Sequence, residues 1–188
     1  MQSCPPTSHL KLESPPEHER PSEERVRQLE AAIGASLPAD YRAFLLEYGG
    51  SEVPFQAPVG EPSPFGDTFT QTRFHSLYSD PEAGCDIRRY LRSQIVPRNM
   101  IVIASGDFGQ ATCLSFAGVD KGAVFFFDEH QMAFADESHM YYRLFESVRE
   151  FLSLRDREEL GVKPPGYDHC YESAPSFTEF LKRCTRVE

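Results

Sequence analysis

The segment LPADYRAFLLEYGG, Leu37 to Gly50, constrains the chain more than any other stretch, because it sets both ends of one helix and the face that helix must bury. Pro38 suits the first helical turn, where a missing N–H costs nothing, and Asp40 lies near the positive end of the helix dipole. Tyr41, Phe44, Leu45 and Tyr48 recur at i, i+3, i+4 and i+7, and Gly49 is expected to close the helix as a left-handed cap. A helix this short is marginal in water, so its bulky face implies docking onto a core built by the rest of the chain.

The surrounding pattern supplies that core. Upstream, Ser22 can cap a helix with Glu23 and Glu24 in its first turn, Val26, Leu29, Ala32 and Ile33 on one face, and Gly34 as its stop. Before it, Pro5, Pro6, Pro15, Pro16 and Pro21 stand among charges with few large apolar groups, so residues 1–21 are expected to form a disordered tail. Residues 51–72 are rich in Pro and Gly and read as a long loop or weak edge strand. A strand follows over Arg73 to Tyr78, then a helical pattern through Ile87, Tyr90 and Leu91.

Met100 to Ser105, MIVIAS, suits a buried strand, and ATCLSF and AVFFFDEH continue it through glycine turns into an antiparallel meander. Alternation turns Phe126 away from Phe125 and Phe127, so at least one face of that strand needs cover by a helix or a partner. Glu137 to Arg155 carries the clearest helical stripe, with Leu144, Val148 and Phe151 among its members. An irregular connection then leads to a short helix presenting Phe177, Phe180 and Leu181.

At 188 residues and 40% apolar content the chain suits one globular domain with a tail. No apolar run is long enough for a membrane helix, and the first residues lack the basic-then-apolar order of a signal peptide. Five scattered cysteines without CxxC spacing argue against a disulfide framework or closed zinc site. A cytoplasmic location is therefore expected, away from membranes. The balance of 29 acidic against 19 basic residues disfavours nucleic-acid binding and attracts basic partners.

Catalytic chemistry is weakly signalled. Asp128, Glu129 and His130, with His139 beyond, match no metal-ligand pattern, and consecutive strand-end residues point in alternating directions. Cys113 lies in an apolar strand with nothing to activate it, and GDFGQ lacks the lysine and following helix of a phosphate loop. No catalytic residue, metal or cofactor is expected.

Three blocks together resemble the SUKH superfamily, which includes fungal cell-wall synthesis regulators and many bacterial immunity proteins. LPADYRAFLLEYGG looks like that family's helix and glycine pair, IVIASGDFGQATCLSF like its strand, glycine turn and strand, and GAVFFFDEH with SVREFL like its later strand, acidic turn and closing helix. The likeness covers about residues 22–152. Gln110 stands where the family often has aspartate, and phenylalanines replace its frequent tryptophan. The resemblance implies an α+β, SUKH-like fold with a central antiparallel meander packed by amino- and carboxy-terminal helices, in one domain over 22–188. Residues 153–188 would be an extension, or an insertion before the true closing helix.

It also implies a non-enzymatic immunity protein that neutralises a basic cognate toxin, such as a nuclease, by stoichiometric binding. The alternative is a regulatory scaffold that binds a host protein. Between residues 100 and 140, Asp107, Asp120, Asp128, Glu129, Asp136 and Glu137 face only Lys121 in opposite charge, and with Phe108 they form the expected partner-binding set.

Overall fold

The computed structural model describes residues 5, 7–60, 66–91, 100–106, 110–118, 120–128, 157 and 170–187. Four α-helices stand among them: α1 (Glu23–Ile33), α2 (Ala39–Tyr48), α3 (Ile87–Leu91) and α4 (Phe177–Arg183). The strands are β1 (Glu52–Pro58), β2 (Thr68–Phe74), β3 (Met100–Ser105), β4 (Gln110–Ser115), β5 (Val124–Asp128), β6 (Cys170–Ala174) and β7 (Thr185–Arg186). They form one sheet in the order β6-β5-β4-β3-β2-β1-β7, and every neighbouring pair is antiparallel. This is the expected α+β, SUKH-like meander. The helical stripe over residues 137–155 lies outside the described residues.

The first helix follows its sequence signals. The Ser22 hydroxyl accepts from the Arg25 N–H at 3.2 Å, and α1 ends at Gly34. In α2, Tyr41, Phe44 and Leu45 are buried as the spacing predicts. The cap differs: Gly49 has φ −56°, and the left-handed residue is Gly50 at φ +91°. Gly49 is required for closeness instead, because a Cβ there would stand 2.5 Å from the Leu45 carbonyl oxygen.

The bulky face of α2 docks onto the sheet through an aromatic relay. Phe55 stacks on Phe74 at 4.6 Å, Phe74 meets Phe44 at 4.8 Å, and Phe44 meets Phe177 of α4 at 4.9 Å. Each such pair contributes about 0.5–1.5 kcal/mol beyond the area it buries.

A segment read as a long loop or weak edge strand, and one read as an irregular connection, both hold strands. Residues 51–72 hold β1 and much of β2, and the expected strand over 73–78 is only the end of β2. Val53, Phe55 and Ala57 alternate into the core, while the prolines fall where a missing N–H is tolerated: Pro54 inside the register shift between Glu52 and Phe55, and Pro58 at the strand end. Likewise β6 emerges from the expected irregular connection because it pairs with β5, Phe126 opposite Tyr171. Phe125, Phe126 and Phe127 are all buried.

The amino-terminal tail is a further correction. Residues 7–20 lie against the domain rather than apart from it: a single 3-10 turn, Ser8–Leu10, carries Leu10 to full burial. His9 Nε2 is 2.8 Å from the Leu181 carbonyl oxygen, and Ser51 Oγ donates to the Glu13 carbonyl at 2.9 Å. Prolines restrict the unfolded segment, so less entropy is lost on docking than its polar composition suggests.

The sheet curls. Ser173 Oγ in β6 donates to the Val59 carbonyl at 3.2 Å, just beyond β1. Gly60, at φ +100°, passes so close that a Cβ would lie 2.3 Å from the Glu172 oxygen. Val59, Phe126 and Tyr171 pack together beneath this crossing.

Candidate interaction surface

The strand register decides which of the expected partner-binding residues share a region. Gly106 and Gln110, which bracket Asp107 and Phe108 in sequence, are joined by a Gly106 N–H to Gln110 carbonyl bond of 3.3 Å. Gln110 pairs in turn with Asp128 at the end of β5. The β3–β4 connection and the carboxy-terminal end of β5 therefore occupy one end of the sheet. Asp107, Phe108, Glu129, Asp136 and Glu137 themselves lie outside the described residues, as do His130 and His139.

Asp120 does not belong with them. It sits in the β4–β5 connection at the opposite end of β4, about 20 Å away for a six-residue strand. It is 1% exposed, its carboxylate accepts from Ser115 Oγ at 3.0 Å, and its carbonyl accepts from the Ala123 N–H at 2.9 Å. The hairpin uses this charge internally, so it offers nothing to a partner. Sequence reading counted the charge without its local hydrogen-bond acceptor role.

A polar cluster that the sequence reading missed joins β2 to α3. Asp86 is fully buried and holds Arg88 in a two-pronged pair, Nε to Oδ1 at 2.9 Å and Nη2 to Oδ2 at 2.7 Å, while the backbone N–H groups of Tyr78 and Arg88 also donate to it. Nearby, Arg73 donates to Cys85 Sγ at 3.4 Å and pairs with Glu52 at 3.3 Å. His75 is buried, lies 2.8 Å from Ser105 Oγ and stacks on Tyr90. Burial first, and the Arg73 charge second, push His75 down to about 3, so it stays neutral near pH 7. The alternation of acid and arginine in CDIRRY was the available signal. The cluster fixes a loop rather than presenting reactive groups.

Beside this cluster a groove of about 620 Å³ opens between the amino-terminal segment and the end of α2. Gly49 and Gly50 form part of its floor, and Glu13, Glu19, Glu52 and Tyr78 stand along it. Among the described residues, no three His, Cys, Asp or Glu side chains are grouped to hold a metal, and no helix is long and apolar enough to cross a membrane.

A curled antiparallel meander with helices packed on it is the architecture of a SUKH-type domain. The chain belongs to the SMI1 / KNR4 family (SUKH-1), whose family model matches residues 20–154. SUKH proteins are generally non-enzymatic immunity or regulatory proteins and commonly bind partner proteins. The chain is also similar to the SPbeta prophage-derived uncharacterized protein YokK of Bacillus subtilis (strain 168), with 30% identity over 145 residues that cover 69% of this chain and 71% of the relative. The family match ends before β6, so β6, α4 and β7 lie beyond it while completing the same sheet and core.

Proposed function

We propose that this protein is a cytoplasmic immunity protein that blocks a basic cognate toxin, such as a nuclease, by stoichiometric binding at the β3–β4 end of its sheet. The observation that carries the reading is the pairing of Gln110 with Asp128, which draws the ends of two acidic sequence segments to one region. The formal net charge of −10 favours rapid encounter with a basic surface. The prophage origin of the similar Bacillus subtilis protein suits a role in conflict between genomes. Asp107, Phe108, Asp128, Glu129, Asp136 and Glu137 form the proposed contact set; Asp120 is left out because the hairpin buries it.

The test is a pull-down against the product of a neighbouring gene at low and raised salt, paired with a toxicity assay. The expected result is a one-to-one, salt-sensitive complex that silences the toxin and is lost when Asp107, Asp128 and Glu129 are changed together to lysine. Retention of a host protein instead, with no protection against any toxin, would favour a regulatory scaffold.

A further inference from the structure

Residues 7–20 and β7 are both near chain ends and both lie against the domain, yet they are fastened differently. β7 is joined to β1 by strand pairing, and the Val187 N–H just beyond it donates to the Pro54 carbonyl at 3.1 Å. Among the described residues, no main-chain hydrogen bond joins residues 7–20 to anything outside them. The Leu10 and Lys11 N–H groups donate to the Thr7 and Ser8 carbonyls, and the Glu19 and Arg20 N–H groups to the Pro16 carbonyl. A segment whose backbone bonds all close on itself can leave without breaking a ladder.

Its outward ties run through side chains. His9 Nε2 sits 2.8 Å from the Leu181 carbonyl oxygen, and Ser51 Oγ donates to the Glu13 carbonyl. Ser14 Oγ and the Arg20 guanidinium both reach the Glu47 carboxylate, at 2.9 and 3.7 Å. Leu10 is the anchor, fully buried in the core, with Leu12 only partly packed against it. Exposed polar ties contribute little each, so one leucine carries most of the hold. The chain is fixed again at Pro21, which is buried and close to Gly49, and the Pro16–Arg20 turn before it is where a hinge falls.

The groove of about 620 Å³ is built from both sides of this joint. The amino-terminal segment lends it residues between Lys11 and Glu19, and the folded domain lends Gly49 to Val53, Tyr78 and Arg186. We propose that residues 7–20 form a strap, latched by Leu10 and hinged at the Pro16–Arg20 turn, that opens and closes as a unit on the folded domain. Closed, the strap completes the groove. Open, it takes one side of the groove away and bares the apolar site of Leu10. The inference does not rest on toxin neutralisation and holds for an immunity protein and a scaffold alike.

Hydrogen exchange of the isotopically labelled full chain, followed by NMR in rising urea below the unfolding midpoint, tests it. The Leu10 and Lys11 amides should exchange at least about tenfold faster than the ladder amides of β3 and β4, at a rate that urea hardly changes, because opening a short strap exposes little surface. The ladder amides should accelerate steeply toward the midpoint. Glu47→Ala cuts the ties of Ser14 and Arg20 at the far end of the segment. It should speed the Leu10 and Lys11 amides by about fivefold, the scale of an exposed ion pair, whereas a 3-10 turn that frays alone would not feel it. Leu10 and Lys11 amides that follow the urea dependence of the ladder, or that Glu47→Ala leaves unmoved, would overturn the proposal.

Discussion

The carboxylate of Asp40, in the first turn of α2, accepts both the backbone N–H and the hydroxyl of Thr178 in α4, at 2.9 and 2.8 Å. One side chain thus serves the amino-terminal ends of two helices, since its other oxygen accepts from the Tyr41 N–H at 2.8 Å. Replacing Asp40 with alanine leaves part-buried donors without that partner and should cost about 1–3 kcal/mol. Urea unfolding would read this as a lower midpoint at constant slope, with Asp40→Asn recovering part of the loss.

Leu10 tests whether the amino-terminal segment is part of the fold. It is fully buried in the main core, so Leu10→Ala should destabilise by about 2–5 kcal/mol. A free tail would leave stability unchanged, and thermal unfolding distinguishes the two.

His75 should make the protein sensitive to mild acid. Its folded value of about 3 lies below the ordinary 6.5, so between those limits the unfolded chain binds the extra proton and stability falls as pH falls. The slope is about 1.4 kcal/mol per pH unit below 6.5, fading near the folded value. His75→Gln should remove this component, which appears as the difference between the two proteins' stabilities at pH 7 and pH 5.5.

The Asp86–Arg88 pair should respond unequally to cutting each side. Asp86→Ala strands a partly buried guanidinium and two backbone donors, and should cost about 3–5 kcal/mol. Arg88→Ala leaves the carboxylate its backbone donors and should cost less. Hydrogen exchange would place the resulting loosening at residues 76–91.

Much of the fold was legible because its signals were local. Ser22, Gly34, the Tyr41–Phe44–Leu45 stripe and the MIVIAS run each carry enough information in a few neighbouring positions. β1 was hidden because its prolines read as loop until their places at a bulge and a strand end were known. CYESA has no pattern of its own and becomes a strand through β5. Leu10 was outvoted by average composition, although one leucine with a prepared site is enough to hold a short segment. In the site, charge was legible but burial was not: Asp120 and Asp128 look alike in sequence, and only register separates them to opposite ends of β4.

The outer strands have a consequence for synthesis. Phe55 pairs with Arg186, and Val124 with Ala174, so both borders of the sheet come from residues 170–186, made after every other strand. While the ribosome still holds those residues, β1 and β5 each present an open edge on which another nascent chain can add. A chain cut before Cys170 would keep five strands with both borders open, and so would be a sticky, unfinished protein rather than a slightly shorter one.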